Sequence, residues 1–161
     1  MNLLYGDALA EVLQRVVKSI FDLDIHLVER RSEDNQEAPF EVSGIIGLTG
    51  LVRGSVVLSF PMGLARRMTA WMLREQHPQR CTAQDIADSI GELANIVAGN
   101  LLVSFEPSVA EKSHISLPSV IMGQHRVVWS SKDTPCDLMV FDTLHGKLAA
   151  ETNLREAFEA R

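Results

Sequence analysis

Cysteine is scarce in this chain. Of 161 residues only Cys81 and Cys136 carry a thiol, and they stand far apart. A disulfide framework is not indicated, and without a Cys-x-x-Cys pair a structural zinc site is not expected. Positive charge is short as well. Fifteen Lys and Arg against twenty-one Asp and Glu leave a formal net charge of −6, which argues against a protein built to grip a phosphate backbone. No run reads as long and apolar enough to cross a membrane. The opening stretch MNLLYGDALAEVLQR meets Asp7 and Glu11 too soon for the uncharged centre of a secretory signal. The cytoplasm is therefore the expected compartment. His26, His77, His114, His125 and His145 are scattered and form no ligand pattern with one another. Asp85, Asp88 and Glu92 lack a companion Glu-x-x-His, so a di-iron type centre is not expected, and no metal is assigned to the chain.

What is present is ordinary for a globular protein: 46% hydrophobic and 22% charged residues. The length suits a single domain, residues 1–161, with a sizeable core. Its most informative stretch is Thr82 to Leu102, TAQDIADSIGELANIVAGNLL. At about 100° per residue, Ile86, Ile90, Leu93, Val97 and Leu101 share one side of a helix. Asp85, Asp88, Glu92, Asn95 and Gly99 form a narrow stripe on the other, with Asp88, Glu92 and Asn95 one turn apart. Thr82 followed by Asp85 has the spacing of a capping arrangement.

Around that helix the chain alternates helical and extended patterns. Leu3 to Ile20 is amphipathic, with Leu9, Val12, Leu13, Val16 and Ile20 on one face. Asp22 to Arg30 reads as a strand, and Arg31 to Pro39 as a polar loop. Phe40 to Phe60 reads as a hairpin about Thr49-Gly50, in which Gly44, Gly47 and Gly54 suggest bulges or close backbone packing. Met62 to Gln76 is a second helix with Leu64, Met68, Trp71 and Met72 as its apolar face, ended by His77-Pro78. Pro107 is expected to close the tail of the long helix. Short extended pieces follow at His114 to Leu117 and Val120 to Met122, then strands at Gln124 to Ser130 and Cys136 to Asp142 about the turn Ser131 to Pro135. From Gly146 the sequence LAAETNLREAFEAR is helix-like. Trp71 and Trp129 are read as core residues. The order of elements suggests an αβββ unit used twice, over about residues 3–60 and 82–142. The expected fold class is α/β, with a mainly antiparallel sheet and long helices packed on it.

The long helix also carries a motif. Asp88-x-x-x-Glu92-x-x-Asn95, then twenty-two residues, then Pro118 resembles the signature of the CheC, CheX and FliY family of chemotaxis phosphatases. GELANIVAGN and ISLPSVIMG are similar to the single-site CheX branch, and GLVRGSVVLSFP resembles the glycine-rich segment these proteins carry before their middle helix. The resemblance covers about Leu3 to Asp142. It implies a CheC-like fold, a homodimer, and a phosphatase acting on a phosphorylated CheY-like receiver. It casts Glu92 as the partner of the receiver's active-site lysine, with Mg2+ held by the receiver and no cofactor by this chain.

An aspartyl phosphate is a mixed anhydride with a weakly basic leaving group, so its hydrolysis needs no general acid. What remains is to place a water in line with the P–O bond and hold charge steady. Asn95 suits the first task, because a carboxamide accepts from water without removing its proton. A Glu92–lysine contact would set register and bring Asn95, one turn on, over the phosphoryl group. Asp88 is a supporting acceptor, and Pro118 shapes the neighbouring loop. Gly91 and Gly99 flank Asn95, and two readings stand for them: room for a receiver, or packing of the helix on a sheet. The first helix echoes the motif as Asp7, Glu11 and Gln14, but Gln replaces Asn and the proline position falls on Glu37. A structural relic is preferred there over a second site. The alternative function is a non-catalytic adaptor that binds a receiver or a flagellar-switch component with the same surface.

Overall fold

A computed structural model of the protein describes residues 3–33, 36–123, 126–127 and 136–157. The helices are α1 (Leu3–Phe21), α2 (Met62–Leu73), α3 (Ala83–Ser104) and the single turn α4 (Pro107–Ala110). The strands are β1 (His26–Glu33), β2 (Gln36–Glu37), β3 (Val42–Gly50), β4 (Val52–Phe60), β5 (Ser113–Ile115), β6 (Ser119–Met122), β7 (Arg126–Val127), β8 (Cys136–Thr143) and β9 (Gly146–Glu156). Seven strands form one antiparallel sheet in the order β1-β8-β9-β4-β3-β5, with β6 beside β5 on the same edge of β3. β2 and β7 pair separately.

Burial decides the layers. α1 lies over β8 and β9, α3 over β3 and its neighbours, and α2 packs on both helices. Leu9, Leu13 and Val16 of α1 and Ile90, Leu93, Val97 and Leu101 of α3 meet Ile46, Leu58, Met139, Phe141 and Leu148 of the sheet in one core. The alternate positions Leu138, Val140 and Ala149 form a smaller cluster with Phe40 on the other face, as the period of two in a strand requires.

Several expectations are corrected. The largest concerns Gly146–Glu156, which form the strand β9 between β8 and β4 rather than a helix; residues 158–161 of the expected helix lie outside the described residues. A central strand hydrogen-bonds along both edges, and that outweighs the helix propensity of its Ala, Glu and Leu. Exchanging β1 with the β5–β6 edge, β8 with β3 and β9 with β4 leaves the strand order unchanged. Of Gln124 to Ser130 only Arg126 and Val127 fall among the described residues, and they pair with β2 outside the main sheet. The turn Ser131 to Pro135 and Trp129 lie outside the described residues. β1 starts at His26 and runs through Arg31–Glu33, where a polar loop was expected. A register shift between Leu27 and Glu29 breaks its alternation and leaves Leu27 and Val28 exposed.

The hairpin reverses one residue later than expected. Thr49 and Gly50 still pair with β5, and the amide of Leu51 donates to the Lys112 carbonyl. α2 stops at Leu73, where Arg74 takes a left-handed conformation, and Pro78 opens a 3-10 turn. Trp71 is not core. It is 37% exposed and meets His145 edge-on and Phe21 at a tilt, while Ala65, Thr69 and Ala70 complete the buried face with Leu64 and Met68. Ile20 is 40% exposed, and Val17 takes its place in the core. Pro107 begins α4 instead of ending α3, which closes where Phe105 turns extended. By length and apolar content α3 suffices to cross a membrane, contrary to the expectation from sequence, but half of it is buried inside the fold.

One glycine sets how closely α3 approaches the sheet. A Cβ on Gly44 of β3 would stand 3.1 Å from the Ala94 Cβ, 3.2 Å from Ile90 Cγ2 and 3.3 Å from the Ile90 carbonyl oxygen. Gly44→Val is therefore expected to lift the helix and cost about 1–3 kcal/mol of stability. A lowered urea midpoint would register it, and an unchanged midpoint would mean that α3 yields there without strain.

Candidate functional site

The site begins with the cap that starts α3. The amide of Asp85 donates to Thr82 Oγ1 at 3.1 Å, and the amide of Thr82 donates to Asp85 Oδ2 at 2.8 Å. Two orphan donors of the first turn are satisfied reciprocally, and the phase of the helix follows from that start. Asp85 is thereby engaged in structure rather than open to a ligand.

From the cap onward, the apolar residues face the sheet and the polar stripe faces out. Asp88 and Glu92 are exposed, Asn95 is half-exposed, and Gly91 is buried. Gln84 Nε2 donates to Asp88 Oδ1 at 2.7 Å. Among the described residues no hydrogen bond or ion pair engages the side chains of Glu92 or Asn95. A carboxylate and a carboxamide one turn apart thus stand open at the surface, each with its acceptors available.

Pro118 reaches the same helix from the loop between β5 and β6. Ser116 ties that loop to β3: its amide donates to the Gly47 carbonyl at 2.8 Å, and its Oγ accepts from the Gly47 amide at 2.9 Å. The same hydroxyl donates to the Leu117 carbonyl at 2.9 Å. Pro118 then covers Gly91, where an added Cβ would lie 3.4 Å from Pro118 Cγ and 3.4 Å from Val120 Cγ2. The two readings of the glycines separate here. Gly91 serves helix packing under Pro118, while an added Cβ on Gly99 meets nothing within 4 Å and leaves open space beside Asn95. Ser116 was not singled out from sequence. No spacing marks it, because its role depends on Gly47, which only the sheet brings opposite.

The echo of the motif on α1 has different surroundings. Asp7, Glu11 and Gln14 are exposed, but Asp7 Oδ1 accepts from Arg30 Nη1 of β1 at 2.5 Å. Arg30 also donates from Nε and Nη2 to the two oxygens of Asp137, at 3.0 and 2.7 Å. The hydrogen bonds to Asp137, and then those to Asp7, raise the guanidinium pKa and keep it charged. Gly6 makes room for this fork, since a Cβ there would collide with the Asp137 carboxylate. The first position of the motif on α1 is thus occupied by a structural ion-pair network, which Asp88 on α3 does not have.

The chemotaxis protein CheX from Desulfovibrio desulfuricans superposes with a TM-score of 0.79 at 22% identity, covering 95% of this chain and 99% of its own. CheX from Vibrio vulnificus gives 0.78 at 24% identity, covering 94% and 99%. The CheX–CheY–BeF3–Mg2+ complex from Borrelia burgdorferi gives 0.72 at 19% identity, covering 94% and 98%. At these identities the likeness speaks for the fold. No curated protein matches the chain. The model of the family described as chemotaxis phosphatase CheX, however, matches residues 42–141, well over half the chain, taking in all of α3 and the loop that carries Pro118; the chain belongs to the CheX family.

Proposed function

We propose that this chain hydrolyses the aspartyl phosphate of a CheY-like receiver domain. The observation that carries the reading is the pair of an exposed Glu92 and a half-exposed Asn95, one turn apart, free of side-chain partners among the described residues and beside a proline loop tied to the sheet through Ser116. The Borrelia relative, seen with CheY, BeF3 and Mg2+, supports a receiver as the partner.

In the proposed step Glu92 accepts from the receiver's active-site lysine and fixes the approach. Asn95 then holds a water in line with the scissile bond. The water oxygen bonds to phosphorus as the P–O bond to the aspartyl carboxylate breaks. The carboxylate leaves with the bonding pair, and the water's proton passes to the phosphate product or to solvent. The receiver's Mg2+ balances the charge on the phosphoryl oxygens, so this chain needs to supply position rather than charge neutralisation. Asp88 supports the stripe and Pro118 holds the neighbouring loop. Gly99 leaves room for the approaching domain. Such a receiver would be met in the cytoplasm. A homodimer through an exposed sheet edge, β1 or β5–β6, belongs to the same reading.

The test is the phosphate lifetime of a CheY-like receiver from the same genome with and without this protein. A shortened lifetime is expected. Binding without any shortening, across several receivers, would favour the adaptor instead. Gln14→Ala is expected to leave the rate within twofold of wild type, because Asp7 is held by Arg30, in keeping with α1 as a structural relic. A larger fall would place chemistry on α1.

A further inference from the structure

Three large apolar side chains among the described residues are at least four-fifths exposed: Leu144 (90%), Leu117 (89%) and Val103 (80%). Single exposed apolar residues need no explanation. Two of these three, however, lie on the surface that carries Glu92 and Asn95. Val103 follows Glu92 by eleven residues, close to three full turns, so the two are within about 20° of one another around α3. Gly99 lies between them on the same line, with open space above it. Leu117 immediately precedes Pro118, which packs on α3 at Gly91, so it borders the helix at the level of Glu92, and Glu92, Asn95 and Gly99 lie between that level and Val103. From the level of Gly91 to Val103 is about 18 Å along the axis. A typical protein interface of about 800 Å² per partner is wider than that, so one docked domain spans both.

We infer that Leu117 and Val103 are apolar anchors on either side of Glu92 and Asn95 that hold a phosphorylated receiver domain across α3. The inference rests on the function proposed above and adds where affinity comes from. The acidic start of the stripe, Asp88 and Glu92, is complementary to a cationic lysine of the partner. A partner held by that charge alone would pivot about one point. Contacts at both ends remove the pivot, and Asn95 lies between them. Anchors of this kind act through burial and set affinity, leaving the chemistry to the stripe. The open space above Gly99 lets the partner descend between Asn95 and Val103.

The experiment measures binding of a receiver loaded with beryllofluoride and Mg2+, together with KM and kcat for its phosphorylated form. The proteins compared are wild type, Val103→Ser, Leu117→Ser and, as a control, Leu144→Ser in the turn between β8 and β9. Each anchor variant is expected to raise Kd and KM about tenfold, with kcat within twofold of wild type and no change for the control. All three positions are exposed, so matched thermal midpoints are expected. If wild type acts on the receiver and both anchor variants bind it as wild type does, the anchors are wrong while the phosphatase reading stands. If wild type neither binds nor acts on any receiver tried, both fall. If the anchor variants instead convert this protein alone from dimer to monomer, the two side chains belong to a self-interface and the inference is overturned.

Discussion

Asn95→Ala is expected to abolish the shortening of receiver phosphate lifetime while leaving receiver binding within about twofold of wild type. The helix tolerates the change, since alanine is the better helix former and the Asn95 side chain has no hydrogen-bond partner among the described residues. In the proposed mechanism the substitution removes the group that would hold the attacking water. Displacing or removing one such positioning contact costs on the order of a hundredfold to a thousandfold in rate. Receivers also lose phosphate without help, so the variant's rate should fall to that floor. The test pairs a lifetime assay with a binding isotherm on the beryllofluoride-loaded receiver. Turnover at the wild-type rate would remove Asn95 from the mechanism.

Glu92→Lys is expected to act on binding instead. In the free protein Glu92 is exposed and unpaired among the described residues, so reversing its charge costs the fold little. In the proposed complex it faces a lysine, and the reversal turns a charge-assisted contact into repulsion. Losing such a contact in a desolvated interface raises Kd by about a hundredfold or more. The wild-type complex should also weaken with added salt, and the variant should show a flatter salt dependence. An unchanged dissociation constant would mean that the receiver does not approach along this end of the stripe. The two substitutions thus separate register from chemistry, although their side chains are one turn apart.

Much of this architecture was legible because it is local. The capping pair Thr82 and Asp85, the buried side of α3 and its polar stripe follow from spacing along one helix, and the structure places them as read. The paired runs of β3 and β4 were visible as well, since their apolar residues and glycines are close in sequence. The errors fall where distant segments decide. Gly146–Glu156 carries helix-forming residues, yet β4 and β8 both pair with it and make it a strand. Its Ala149 and Ala150 are small and fully buried in the middle of the sheet, a position that local propensity does not register. Trp71 shares a helix with core residues, but Phe21 and His145 meet it at the rim.

The site divides in the same way. The chemistry on offer, a carboxylate and a carboxamide one turn apart on a capped helix, is written in the order of residues, because helical geometry ties spacing directly to position. Which of those groups stay available depends on contacts between distant segments. Those contacts cover Gly91 with Pro118 and leave Gly99 open, fasten the proline loop to Gly47 through Ser116, and close Asp7 of α1 into an ion pair with Arg30. Each of those outcomes depends on contacts between strands and helices far apart in the chain, whose meeting is set by burial of the whole core rather than by any local pattern.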